Sequence, residues 1–205
     1  MDNIIEWIFF DIGSTLVDES RAYEHRIKDT IKNSSVTYER FYNLMVDFAR
    51  QGRNGYNEAV KYFGLQRTVW HSEDEFLYPE TESCLQALSE KYKIGIIANQ
   101  PFGTQERLNK MGIAKYISLV ISSAEENILK PDLQIFMLAL GRAGCSTDNA
   151  VMVGDRLDND IVPAKEIGMR TVWVKQGLGG LSTPKNEAET ADLTIQSIGE
   201  INKYF

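Results

Sequence analysis

Five short apolar runs, each closing on a polar or small residue, constrain the fold of this chain more than anything else in it. They span residues 4–10, 94–98, 119–122, 150–154 and 171–174. Each is too short for a helix and rich in Ile, Val and Phe, as buried strands are. Between the last four lie segments of helical length and period, at residues 104–110, 133–143 and 159–167, with another at 80–91. Strand and helix in alternation read as α/β, a mostly parallel sheet with helices on its faces and right-handed connections.

One interval breaks the alternation. Residues 18–78 contain no strand-like run but carry helical stripes: Phe41, Leu44, Met45 and Phe48, then Tyr56, Ala59, Val60 and Phe63, punctuated by Gly52, Gly55 and Gly64. A parallel crossover needs only a dozen or so residues, so about sixty residues of helix after the first strand are expected to form an inserted α-helical cap. The aromatic stripes are expected to be that cap's own core. The expected division is a core of residues 1–17 and 79–205 and a cap of residues 18–78. With 205 residues, 43% of them apolar, the chain can bury one full core.

The formal charge of −7 repels polyanions, which argues against a non-specific nucleic-acid or membrane-surface binder. No stretch reaches the apolar length that spans a bilayer, and the start lacks the basic region of a secretory signal, so the chain reads as cytoplasmic. Cys84 and Cys145 have no CxxC spacing and read as core thiols. His25 and His71 accompany no ligand signature and read as ordinary surface or cap residues. The Gly-rich "GLGGLSTP", residues 177–184, follows no phosphate-loop pattern and reads as a flexible surface loop. The sequence does not set the oligomeric state.

In an open parallel sheet, ligands gather at the carboxyl ends of the strands. Here those ends carry Asp11 on the first strand, Ala98 and Asn99 on the second, and Gly154 and Asp155 on the fourth, followed by Asp158 and Asp160; Lys130-Pro131 precedes a helix between them. Converging carboxylates raise one another's pKa unless a cation sits among them. A hard divalent ion resolves this, and magnesium suits a set of oxygen donors without His or Cys.

These motifs resemble those of the haloacid dehalogenase-like superfamily, nearly end to end and in family order: "FFDIGSTL", "IGIIANQ", Lys130-Pro131 and "VMVGDRLDNDIVPAKEIGM". The resemblance implies a Rossmann-like sheet with a helical cap inserted after the first strand. It implies a phosphatase-type enzyme that acts on a small phosphorylated substrate. Asp11 would be the nucleophile, forming an aspartyl phosphate, and a Mg²⁺ ligand; Lys130 would balance the charge of phosphate and Asp11. Asp155 would hold the metal, with Asp160 ligating it or orienting its waters and Asp158 in reserve.

Two positions depart from the pattern. Typical phosphatases of the family have, where this chain has Gly13, an aspartate that protonates the leaving group and then activates water. Glycine can do neither, although its carbonyl can still ligate the metal. Ala98 stands where a Ser or Thr hydroxyl usually meets the phosphate, leaving Asn99 and Lys130 as the other phosphate-binding candidates. The dehalogenase branch also lacks the second aspartate but works without magnesium. The phosphonate-cleaving branch has a small residue there too, but uses a cap lysine, for which Lys28, Lys32 and Lys61 are the candidates. The alternative to an enzyme is a catalytically silent protein of the same fold that binds metal and phosphate.

Overall fold

A computed structural model describes residues 4–205. Residues 1–3 of the expected core lie outside the described residues. Six strands form one parallel sheet: β1 (Trp7–Phe10), β4 (Lys93–Ala98), β5 (Leu119–Ser122), β6 (Ala150–Gly154), β7 (Arg170–Val174) and β8 (Leu193–Ile195), in the order β5-β4-β1-β6-β7-β8. Two short strands, β2 (Val17–Asp18) and β3 (Phe76–Leu77), pair antiparallel outside it.

β1 lies between β4 and β6, with Phe10 level with Ile96 on one side and Val153 on the other. All four residues of "WIFF" are buried because both faces of the sheet are covered. The two-residue period then divides the core. Ile8 and Phe10 join Ile96, Val153, Leu85 and Leu88 on one face, the last two from α4 (Thr81–Ser89). Trp7 and Phe9 join Ile97, Met152, Ile135 and Phe136 on the other, the last two from α7 (Leu133–Ala143). The remaining helices beside the sheet are α5 (Thr104–Lys110), α6 (Ser123–Glu126) and α8 (Val162–Glu166).

The chain steps outward from β1 to β4 and β5, then returns to β6 on β1's other side. That reversal opens a crevice at the carboxyl end of β1, where Asp11 follows.

Between β2 and β3 run α1 (Ser20–Ile31), α2 (Tyr38–Arg50) and α3 (Gly55–Tyr62). They share a separate apolar cluster of Ile27, Phe41, Met45, Tyr56, Ala59 and Val60, which is where the stripes at helical spacing go, apart from Phe48, whose ring lies under Arg53. The Thr37 hydroxyl caps α2 and the Asn54 side chain caps α3. Among the described residues, no helix is long and apolar enough to cross a membrane.

Besides the short strands β2, β3 and β8, which no apolar run announced, the structure differs from the sequence pattern in three places. The first run forms a strand only over Trp7–Phe10. The helix expected at residues 159–167 opens as a π-helical turn, Leu157–Ile161, which swings Asp160 back under Gly154. The loop from Gly177 onward packs rather than projecting. Gly180 is buried against the backbone of Lys175, Gly177 meets the side chain of Ser14, and Leu178 packs against the helical cluster.

Candidate active site

Asp11, Lys130, Asp155 and Asp160 come together at the carboxyl ends of β1 and β6, each with less than a tenth of its surface exposed. Lys130 Nζ donates to Oδ1 of Asp11 at 2.7 Å and to Oδ1 of Asp160 at 2.6 Å. Oxygens of Asp11, Asp155 and Asp160 all lie within 4.8 Å of one another.

Local sequence explains each placement. Asp11 is the residue after β1, and its N–H is held by the Val153 carbonyl. Asp155 follows β6, and the Trp173 indole donates to its backbone carbonyl at 2.7 Å. Oδ2 of Asp160 accepts the Arg156 N–H at 3.0 Å. The Asp160 carboxyl sits where a side chain on residue 154 would be, so only Gly154 fits there. Asn99 ties the loop of Lys130 to the end of β4, accepting the Lys130 N–H at 2.8 Å and donating to its carbonyl at 2.9 Å.

Burial would lower the Lys130 pKa, but Asp11 and Asp160 outweigh it and hold the ammonium above its ordinary value. Burial, with the charges of Asp160, Asp11 and Glu19, pushes Asp155 well above the carboxylate range. Asp160 is pushed up to about 6, chiefly by burial, against the pull of Lys130. One buried lysine thus faces three buried acids. The donors fit magnesium: all are hard oxygens, and the Asp155 carboxylate and Oδ2 of Asp11 have no side-chain donor among the described residues. Both oxygens of Asp160 already accept hydrogen bonds, which suits it to orienting waters. The turn after β1 engages the carbonyls of Ile12 and Val17 and not that of Gly13, which lines the same cavity. Asp158 stands apart, paired with Arg156 and half exposed.

The cavity over these groups has a volume of about 230 Å³. Asn99 lines it. Ala98 is fully buried in the core beneath. From the helical segment come Arg53 and Asn54, while Arg50 pairs with Asp47 in solvent and Tyr56 is buried in the helical cluster. Lys28, Lys32 and Lys61 are not among its walls.

A family model described as haloacid dehalogenase-like hydrolase matches residues 8–174, which include every residue of this cluster. The chain belongs to the haloacid dehalogenase-like hydrolases. It is 29% identical over 223 residues to the glyceraldehyde 3-phosphate phosphatase of Methanocaldococcus jannaschii, covering 97% of this chain and 96% of the relative. It is 29% identical over 197 residues to the protein of that name from Pyrococcus furiosus, covering 84% and 82%. Among solved structures, it superposes on a HAD phosphatase from Thermococcus onnurineus with a TM-score of 0.68 at 26% identity, over 97% of each chain.

Sequence reasoning missed two features of this haloacid dehalogenase-like hydrolase. The Gly-rich loop is a wall of the site, because Gly179 lies so close to Asp155 Oδ2 that a Cβ would collide with it. The second is Glu19, partly buried at the start of α1, whose Oε2 accepts from the Ser14 hydroxyl at 2.8 Å. Burial outweighs that hydrogen bond, Asp11 and Glu75 add to it, and the Glu19 carboxyl is pushed up to about 7. A glutamate eight residues beyond Asp11 carries no spacing signal that single-sequence reading recognises.

Proposed function

We propose that this protein is a magnesium-dependent phosphohydrolase that cleaves a small phosphorylated metabolite through an aspartyl phosphate on Asp11. The observation that supports it best is the Lys130 ammonium held between Asp11 and Asp160, with Asp155 alongside. Lys130 orients the Asp11 carboxylate whose oxygen would attack phosphorus. The same ammonium balances the charge that a phosphate brings. Asp11, Asp155 and the Gly13 carbonyl would hold Mg²⁺, with Asp160 behind them; when bound, the ion supplies positive charge to the phosphoryl oxygens. Lys130 and the main chain at Asn99 would bind the phosphate, whereas Ala98, named from its place in the sequence, lies buried beneath the cavity.

We read the helical segment, residues 18–78, as a cap whose Arg53 and Asn54 reach the substrate. The cavity is at the small end for ligand sites. That agrees with the small three-carbon ester named for the relatives from M. jannaschii and P. furiosus. The absence of a carboxylate on Gly13 favours a second reading, a silent protein that binds metal and phosphate.

The test is a Mg²⁺-dependent turnover screen over phosphomonoesters and acyl phosphates, with trapping of the covalent adduct. Turnover with an adduct on Asp11, both lost in Asp11→Asn, is the expected result. Undiminished turnover in that variant refutes the assignment. Binding of Mg²⁺ and phosphate with no turnover of any substrate establishes the second reading.

A further inference from the structure

Position 13 lacks a side chain, but the space that side chain would occupy is filled. A Cβ on Gly13 would lie 2.5 Å from Oε1, 2.9 Å from Cδ and 3.0 Å from Oε2 of Glu19. The whole carboxyl group of Glu19 therefore sits over the Gly13 Cα. It reaches that place from the residue before α1, six positions further along the chain.

Three observations indicate a built arrangement. Ser14 holds φ +57°, a backbone conformation unfavourable for a non-glycine residue, and its hydroxyl is the group that fixes Glu19 Oε2. Gly177 lacks a side chain where one would strike the Ser14 hydroxyl. Glu19 also lines two cavities at once: the one over Asp11 and a second, of about 360 Å³, walled by Tyr38, Tyr42, Met45 and Tyr78. A phosphate on Asp11 with its organic group in the second cavity would put the bridging oxygen beside Glu19.

We infer that Glu19 is the general acid and base of this site, supplying from the start of α1 the carboxyl group that residue 13 lacks. Ser14 is a positioning residue for it. This rests on the phosphohydrolase reading. An Asp11 oxygen bonds to phosphorus as the bond to the ester oxygen breaks; that oxygen keeps the electron pair and takes the Glu19 proton, leaving as an alcohol. Glu19, now a carboxylate, takes a proton from water. The water oxygen bonds to phosphorus, the bond to Asp11 breaks, and Asp11 returns to carboxylate while Glu19 is again an acid.

The test compares wild type, Glu19→Gln, and the cycle of Gly13→Asp and Glu19→Ala, alone and combined, as Mg²⁺-loaded full-length proteins. On an alkyl phosphate, Glu19→Gln should slow single-turnover phosphorylation by about 10²-fold or more, the scale of general acid catalysis. On nitrophenyl phosphate, whose leaving group needs no proton, that step should be nearly unchanged, while slow hydrolysis makes the acid-quenched aspartyl phosphate accumulate. Gly13→Asp alone should lower the melting temperature, because two carboxyl groups claim one space. The double variant should melt near wild type and recover alkyl phosphate turnover to within about tenfold, a coupling that independent sites do not show.

Equal slowing on both esters, or no slowing, overturns the inference. So does a Gly13→Asp whose melting temperature is the same in both backgrounds. If Asp11→Asn kills turnover while Glu19→Gln leaves it intact, only the inference falls. A wild type without turnover overturns both it and the reading beneath it.

Discussion

Asp155 shows how an acid gathered into a buried cluster weakens the structure that holds it. Burial first, then Asp160, Asp11 and Glu19, raise its pKa well above the ordinary carboxylate value. An acid whose pKa rises on folding penalises the folded state once pH exceeds its unfolded value of about 3.9. The penalty is therefore present at neutral pH and vanishes in acid. Asp155→Asn removes it, so the metal-free variant should melt higher than wild type at neutral pH, by about 2–4 °C for each kcal/mol relieved. The gain should shrink as pH falls toward about 4. Calorimetric titration should show Mg²⁺ affinity moving the opposite way. Asp155 and Asp11 were legible in the sequence because strand patterns ended before them, and Lys130 because it stands with Pro131 ahead of a helix. The preference for Asp160 over Asp158 came from the family resemblance and not from any local pattern, because it depends on a π-helical turn that one extra residue in the ladder creates.

At the scale of elements, α1 and the turn Ser72–Asp74 are fastened by two histidines that looked unremarkable in the sequence. The rings of His25 and His71 stack at 3.5 Å. His71 Nε2 faces Asp29 at 2.9 Å and Nδ1 faces Glu73 at 3.1 Å, while His25 Nδ1 faces Asp74 at 2.7 Å. Two carboxylates on opposite nitrogens call for a doubly protonated ring, and the hydrogen bond with Glu73, then that with Asp29, raises the His71 pKa. The sign follows: a raised histidine stabilises fully below its unfolded value of about 6.5, and that contribution is lost as pH rises through the folded value. The wild-type melting temperature should therefore fall, as pH rises above about 6.5, more than that of His71→Gln. A parallel fall in both proteins would show that the fastening lies elsewhere. Forty-six residues separate the two rings, so the pair is a product of tertiary folding and no local pattern announces it. The β2–β3 pair and β8 escaped notice for a related reason: two or three residues are too few to show a period.

Across the whole molecule, the segment read as a loose loop joins the helical segment to the sheet. Leu178 packs into the helical cluster, Lys185 donates to the Gln51 carbonyl at 2.8 Å, and Gly179 between them touches Asp155. Glycine content was a fair sign of a loop and a poor sign of mobility, because here the glycines serve close approach. Gly179→Ala should therefore lower Mg²⁺ affinity through displacement of Asp155, while Gly141→Ala, where no atom lies within 4 Å of the added Cβ, should leave that affinity unchanged. Equal affinities in wild type and Gly179→Ala would mean that the contact is slack. The root of α1 has a further consequence for how the parts work together. Asp11, Lys130 and Asp155 are anchored to the sheet, but Glu19 travels with whatever moves the helices. If Glu19 is the acid and base, a substrate with a good leaving group would load Asp11 without waiting for the helical segment. Hydrolysis of the aspartyl phosphate would wait until that segment is seated, so the protein would run as an escapement, holding its phosphoryl charge between strokes and advancing only when the tooth drops into place.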